Sequence, residues 1–284
     1  MTNMNDQKIA PSFIELNARK RIFELLDNES MKELLSPFER LTSPWLEKQG
    51  IVPQFDDGVV VAKGEIDNKP VIIAAIDGSF QGGSMGEVGG AKIAGSLELA
   101  IEDNRRGIPT AAVLLLETGG VRLQEANLGL AAIAEIHSAI VELRRYQPVI
   151  ALVTGPVGCF GGMSITAALC SYLLITREGR LGLNGPQVIE QEAGIREYDS
   201  RDRPFIWSIT GGQQRHAIGM VDSFLDDDIS FIKHSVIEHL ALGIPQEFRS
   251  DAIDSSLSRL LSVDTTAQLD ADITRKIMTQ GVPL

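Results

Sequence analysis

The chain has little of what many functions require. Only two of its 284 residues are cysteine, Cys159 and Cys170, and no metal-site spacing surrounds them. Both lie among small and apolar residues, which reads as two buried free thiols rather than a disulfide. Aromatic residues make up 5% of the chain, which fits close backbone packing better than aromatic recognition. Lysine and arginine (26) are outnumbered by aspartate and glutamate (38), and a net charge of −12 argues against a nucleic-acid partner. No apolar run approaches the ~20 residues of a spanning helix. The N-terminus is polar and lacks the apolar core of a secretory signal. A cytoplasmic protein with no membrane partner is therefore expected. Neither G-x-G-x-x-G nor a Walker A motif occurs. His137, His216, His234 and His239 have no partner visible in the sequence and read as surface or capping residues rather than bases.

What is present is glycine, 27 residues of it, and enough apolar sequence for a sizeable core. The length suits one large α/β domain or two small ones. The most informative stretch is 150–191. An apolar run at 149–153 reads as a buried strand, a turn follows through Gly161-Gly162, and the small and apolar residues 163–174 read as a buried helix running into a strand. A strand that passes through paired glycines into a helix leaves backbone N–H groups pointing at one spot. Without Cβ atoms a ligand oxygen can come close to them. That is how a protein builds an oxyanion hole from main chain alone.

Taken in order, residues 12–26 have helical spacing, a short helix is expected at 31–35, and prolines at 37, 44 and 53 break regular structure. The runs 59–66 and 71–77 form a hairpin across Asp67-Asn68-Lys69-Pro70. A glycine-rich loop, 78–86, leads to a helix over 88–104. A third strand is expected at 110–116 and a long helix at 124–145. Beyond the glycine turn, short strands are expected at 173–176 and 180–183, and a helix starts at 190–194. Residues 201–284 are mostly helical, over 230–242, 250–262 and 269–279, with apolar stripes that suit either a core or a partner. Alternating strands and helices imply a largely parallel sheet covered by helices, with ligand-bearing loops along one edge. Three parts are expected: an N-terminal helical extension, 1–54; an α/β domain, 55–240; and a C-terminal helical extension, 241–284.

Two diglycine turns, Gly119-Gly120 and Gly161-Gly162, follow neighbouring strands and would lie side by side. As plain tight turns they need no function; adjacent, they supply two donors around one carbonyl oxygen. Gly82-Gly83-Ser84-Met85-Gly86 matches the serine nucleophile-elbow pattern, but seven residues separate Ile76 from Ser84, and the elbow needs its serine directly off a strand. Arg105-Arg106 and Arg144-Arg145 end helices, where they favour the helix dipole or could grip phosphates.

Four motifs occur in one order: Gly83-Ser84-Met85-Gly86 with Gly90-Ala91-Lys92; Glu117-Thr118-Gly119-Gly120-Val121-Arg122-Leu123-Gln124-Glu125; the turn 158–162; and Leu183-Asn184-Gly185-Pro186-Gln187-Val188-Ile189-Glu190-Gln191. Together, over roughly 55–240, they resemble the carboxyltransferase branch of the crotonase-like superfamily, and within it most of all the beta subunits of biotin-independent malonate decarboxylases. The resemblance implies a crotonase-like ββα spiral. It implies a homologous gamma subunit as partner, with the active site between the two. The substrate would be a malonyl thioester on an acyl carrier protein subunit, carried by a phosphoribosyl-dephospho-CoA arm. No cofactor or metal would bind this chain directly. By position, Gly119, Gly120, Gly161 and Gly162 match the oxyanion turns, and Gly83, Ser84, Met85, Gly86, Arg122, Gln124, Gln187 and Glu190 match pocket walls. Two departures separate the chain from the acetyl-CoA carboxylase subunit: it has no four-cysteine zinc module, and threonine stands where that motif has serine before the glycines. Other readings remain: a biotin-dependent carboxyltransferase component, a non-catalytic subunit that docks the carrier protein, and a Ser84 hydrolase.

Overall fold

The computed structural model describes residues 12–261, 263–264 and 270–280. The polar stretch 1–11 and the expected helix start at 269 lie outside these residues. A seven-stranded sheet runs in sequence order: β1 (Lys32–Leu34), β2 (Val59–Ile66), β3 (Lys69–Ile76), β4 (Ala111–Leu115), β5 (Val149–Val153), β6 (Tyr172–Thr176) and β7 (Ser223–Leu225). The first three strands are antiparallel and the rest parallel. Each crossover thus adds the next strand beside the last, the one-directional winding expected of a crotonase-like spiral.

The hairpin turns through Asp67 and Asn68, both at positive φ (51° and 59°). These are residue types that tolerate this region, in the two-residue turn that matches strand twist. The edge strand β1 occupies the stretch expected as a short helix. The open edge of β2 offers it hydrogen-bond partners, with Glu33 opposite Ala62, and this outweighs a weak local propensity. The first helix, α1 (Ala18–Leu25), starts six residues later than its spacing suggests. Asn17 caps it by accepting from the Lys20 N–H, while the N–H groups of Phe13 and Ile14 are taken by the Asp227 carboxylate.

The remaining helices are α2 (Glu87–Arg105), α3 (Leu128–Leu143), α4 (Gly162–Leu169), α5 (Pro186–Ala193), α6 (Arg203–Thr210), α7 (Gly212–Ala217), α8 (Ile229–Leu242), α9 (Ile253–Leu261) and α10 (Ala271–Gln280). Strand side chains alternate between two cores. Val61, Ile72, Leu114, Ala151 and Ile175 pack with α2, α3 and α4; Val60, Ile73, Val113, Ile150 and Leu174 pack with α1 and α8. Because β4 and β5 are covered on both faces, they read as unbroken apolar runs. The N-terminal stretch supplies a strand to the sheet and Phe13, Ile22 and Leu25 to the second core.

Further differences have local causes. The long helix expected from 124 begins at Leu128, because Ala126 sits at φ 51°, ψ −123° after a 3-10 turn. Residues 180–183 form bridges rather than a strand, Cys159 with Leu181 and Arg180 with Gly211. β7 had no apolar run long enough to signal it. The two thiols are buried and free, and burial pushes both well up, Cys170 to about 12. Among the described residues no helix is long and apolar enough to cross a membrane.

Candidate functional site

The parallel strands all end on one edge, and there the loops pair a second time. Thr118 bridges Cys159, Cys159 bridges Leu181, and Met85 bridges Val121. The bonds of this outer ladder are short: Thr118 N–H to Gly158 O at 2.7 Å, Phe160 N–H to Thr118 O at 3.1 Å, Gly161 N–H to Leu183 O at 2.8 Å. It sets the two diglycine bends against each other. A Cβ built on Gly161 would lie 3.1 Å from Gly120 Cα, and one built on Gly120 would lie 3.5 Å from Gly161 Cα. Both have positive φ, 113° at Gly120 and 61° at Gly161. No other residue meets both demands cheaply.

The amides at this contact are not those the sequence suggests. Gly119 N–H donates to Gly82 O (2.9 Å), Gly120 N–H to the Thr118 hydroxyl (3.1 Å), and Gly161 N–H to Leu183 O. Two neighbouring N–H groups have no acceptor among the described residues: Val121, which follows the first bend, and Gly162, at the first position of α4 where no intrahelical partner exists. The Val121 nitrogen lies 3.7 Å from the Cβ position built at Gly161. The contact thus keeps one uncommitted donor from each turn. Only the sequence position after a glycine pair could have signalled Val121.

Of the residues matched to pocket walls, Gln187 alone lines a cavity with a bend residue, a space of about 290 Å³ shared with Gly119, Phe160 and Arg180. Gly83 is buried under the first bend, where a Cβ would fall 2.0 Å from Glu117 O. Met85, 1% exposed, bonds the first turn through Gly120 O and the Arg122 N–H. Gly86 caps α2, closed in by Arg122 and Glu125. Ser84 Oγ accepts only a long bond from Arg122 Nε (3.4 Å), and among the described residues no histidine is bonded to it.

Arg122 corrects the expectation most. It is 1% exposed and therefore not a pocket wall. Its Nη1 pairs with Asp57 (2.7 Å) and Glu125 (2.9 Å), its Nη2 donates to Ser84 O (3.0 Å), and it lies over the Phe80 ring. One guanidinium thus joins the glycine-rich loop, the segment before β2 and the turn after β4. Burial pushes the Asp57 carboxyl up, against the pull of Arg122. Gln124 lies apart from the bends, its carbonyl bonded by Gln49 beside Trp45. Glu190 clamps a loop, accepting from Ser200 N–H at 2.7 Å, and hydrogen bonding from the Ser200 side chain and then its backbone holds the carboxyl below the usual range.

Two anchors of the bends escaped sequence reasoning. Glu117 lies between the loops that follow β3 and β5: its Oε2 pairs with Arg21 of α1 at 2.5 Å, and a Cβ on Gly78 or Gly155 would run into its carboxylate. His137 on α3 does have a partner, since Nε2 lies 3.1 Å from Gly162 O and 3.0 Å from Thr166 Oγ1. It fastens the start of α4, and its burial lowers its pKa. The arginines at helix ends are engaged too, Arg105 with Glu142 and Arg144 with Leu169 O.

The family model of the carboxyl transferase domain matches residues 15–251. The chain belongs to the carboxyl transferase domain family. The carboxyl transferase fold is matched in solved structures as well. A Pseudomonas malonate decarboxylase hetero-tetramer in complex with malonate is 65% identical, with a TM-score of 0.92 over 94% of this chain and 97% of that one. The transcarboxylase 12S hexamer is 28% identical, with a TM-score of 0.68 over 79% of this chain and 41% of that one. Among curated proteins, the malonyl-S-ACP:biotin-protein carboxyltransferase MADC of Malonomonas rubra is 40% identical over 77% of this chain and 72% of its own length. Within the matched residues, the contact of the two bends is where this chain offers a pair of uncommitted main-chain donors.

Proposed function

We propose that this chain is the beta subunit of a malonate decarboxylase and that it cleaves the malonyl thioester of a carrier protein to acetyl thioester and CO2. The observation that carries the mechanism is the contact of the two glycine bends. The C–C bond to the carboxylate breaks, CO2 leaves, and the electron pair moves through the α-carbon to the thioester oxygen as an enolate. The Val121 and Gly162 amides are placed to bind that oxygen. Their hydrogen bonds strengthen as the charge appears, so they favour the transition state over the bound substrate. A proton delivered to the α-carbon completes the reaction.

The likeness to the Pseudomonas hetero-tetramer supports partner subunits. In this reading they are a homologous gamma subunit and a carrier-protein subunit whose phosphoribosyl-dephospho-CoA arm brings the substrate, as the sequence resemblance implies. One face of this chain suits a partner. On α9, Ile253, Leu257, Leu260 and Leu261 are 50–78% exposed and fall on one helical stripe.

The likeness to MADC favours a second reading, in which the carboxyl group passes to a biotin protein. The test uses the co-purified complex with malonyl-loaded carrier protein and follows CO2 release with and without avidin. Release that avidin leaves untouched supports the decarboxylase; release that avidin stops supports the carboxyltransferase.

A further inference from the structure

Among the described residues, Arg180 is a cation without a counter-ion beside the glycine bends. It lines the cavity of about 290 Å³ that Gly119, Phe160 and Gln187 share. Its Nη2 is held by the carbonyls of Pro156 (2.6 Å) and Val157 (3.2 Å). Its guanidinium lies 4.4 Å from the centre of the Trp207 ring and 5.4 Å from that of Phe160, a stacking that fixes the plane of the fork. Among the described residues Nη1 has no hydrogen-bond partner, and Nε is shut in without an acceptor. The charged and titratable neighbours that act on it are Arg203, which repels it, and Tyr198.

The surroundings repeat the pattern. Among the described residues, three buried side-chain polar atoms lack a partner: Arg180 Nε, Tyr198 Oη and Trp207 Nε1. They belong to one cluster, because Trp207 stacks on Arg180 and Tyr198 acts on its charge. All three can donate a hydrogen bond, and buried donors left unpaired cost stability unless something supplies the acceptor. In a chain of net charge −12, a cavity-lining guanidinium that no carboxylate pairs among the described residues, with two more unmet donors on its neighbours, calls for a small anion.

We propose that Arg180 binds the free carboxylate of the substrate, the group that leaves as CO2, with Tyr198 and Trp207 closing the pocket behind it. This rests on the decarboxylase reading and adds to it the residue that recognises the acid. With the thioester oxygen at the Val121 and Gly162 amides and the carboxylate in the cavity that Arg180 shares with Gly119, the malonyl group spans the first bend. The contact belongs to the ground state, for CO2 is neutral and the acetyl product has no carboxylate. Arg180 therefore selects substrate over product and governs binding more than the chemical step.

The test titrates malonate and acetamide, a neutral acetyl compound, into the co-purified complex by calorimetry. Malonate is expected to bind at least about tenfold more tightly than acetamide, and Arg180→Met to weaken malonate about tenfold or more with acetamide little changed. Arg180→Lys, which keeps the charge but loses the planar fork, falls between. Unchanged malonate affinity in Arg180→Met overturns the assignment. Should that variant fail to fold, unchanged affinity in Arg180→Lys overturns it equally. In turnover the loss appears in KM; a loss confined to kcat also overturns it. A wild-type complex that releases no CO2 overturns the decarboxylase reading alone, since calorimetry decides the carboxylate site by itself.

Discussion

A Cβ at Gly162 would sit 3.0 Å from Ile133 Cγ2, so a branched side chain there must either push Ile133 aside or fill the mouth of the bend. Gly162→Val is expected to lower CO2 release about a hundredfold or more, the scale of losing one oxyanion donor, while circular dichroism stays near wild type. Turnover at the normal rate in the folded variant removes that amide from the mechanism. His137 gives a pH signature. Its burial lowers its pKa in the folded state, so as pH falls through the ordinary histidine range, about 6.5, the unfolded chain takes up the proton first. Its contribution is present above that value and is lost as pH falls toward the folded pKa. Urea midpoints measured from pH 7.5 to 5 should decline more steeply in wild type than in His137→Gln. Parallel curves would deny His137 this role.

Between elements, three buried ion pairs hold the bends, two of them sharing Arg122. Arg21 ties α1 to Glu117 at the end of β4, and Arg122 ties Asp57 and Glu125 together beneath the glycine-rich loop. A buried pair adds little net stability over a well-packed apolar pair, yet breaking one leaves a charge with no partner. Arg122→Met strands two carboxylates that are 0% exposed at the side chain, and it should cost about 3–5 kcal/mol in urea unfolding. A loss under about 1 kcal/mol would deny Arg122 the role of holding these segments together. The position reads from sequence as a binding residue because an arginine in a motif is ambiguous. Its three partners come from separate segments, so only their convergence decides its role.

For the molecule as a whole, the sheet buries both faces while α9 leaves an apolar stripe open. Leu257→Glu with Leu260→Glu is expected to reduce co-purification with the partner subunits and to leave the melting temperature of the isolated chain within a few degrees, since neither side chain is buried. Retained assembly on size-exclusion chromatography would move the interface elsewhere.

Local chemistry by itself determined the five strands β2 to β6, the hairpin turn, the free thiols and the two glycine bends, because burial on both faces writes an apolar run and positive φ writes glycine or asparagine. Where elements begin and which amides stay free were decided only by tertiary structure. α1 starts late because Asp227, more than 200 residues away, takes the N–H groups ahead of it. β1 is a strand because an edge was there to pair with. The donors at the site are Val121 and Gly162, since three of the four glycine amides are spent on carbonyl and hydroxyl oxygens that the chain brings from other loops or from its own turn. A hydrogen bond to a distant segment leaves no trace in the residue that makes it, and for that reason the bends were legible and their free donors were not.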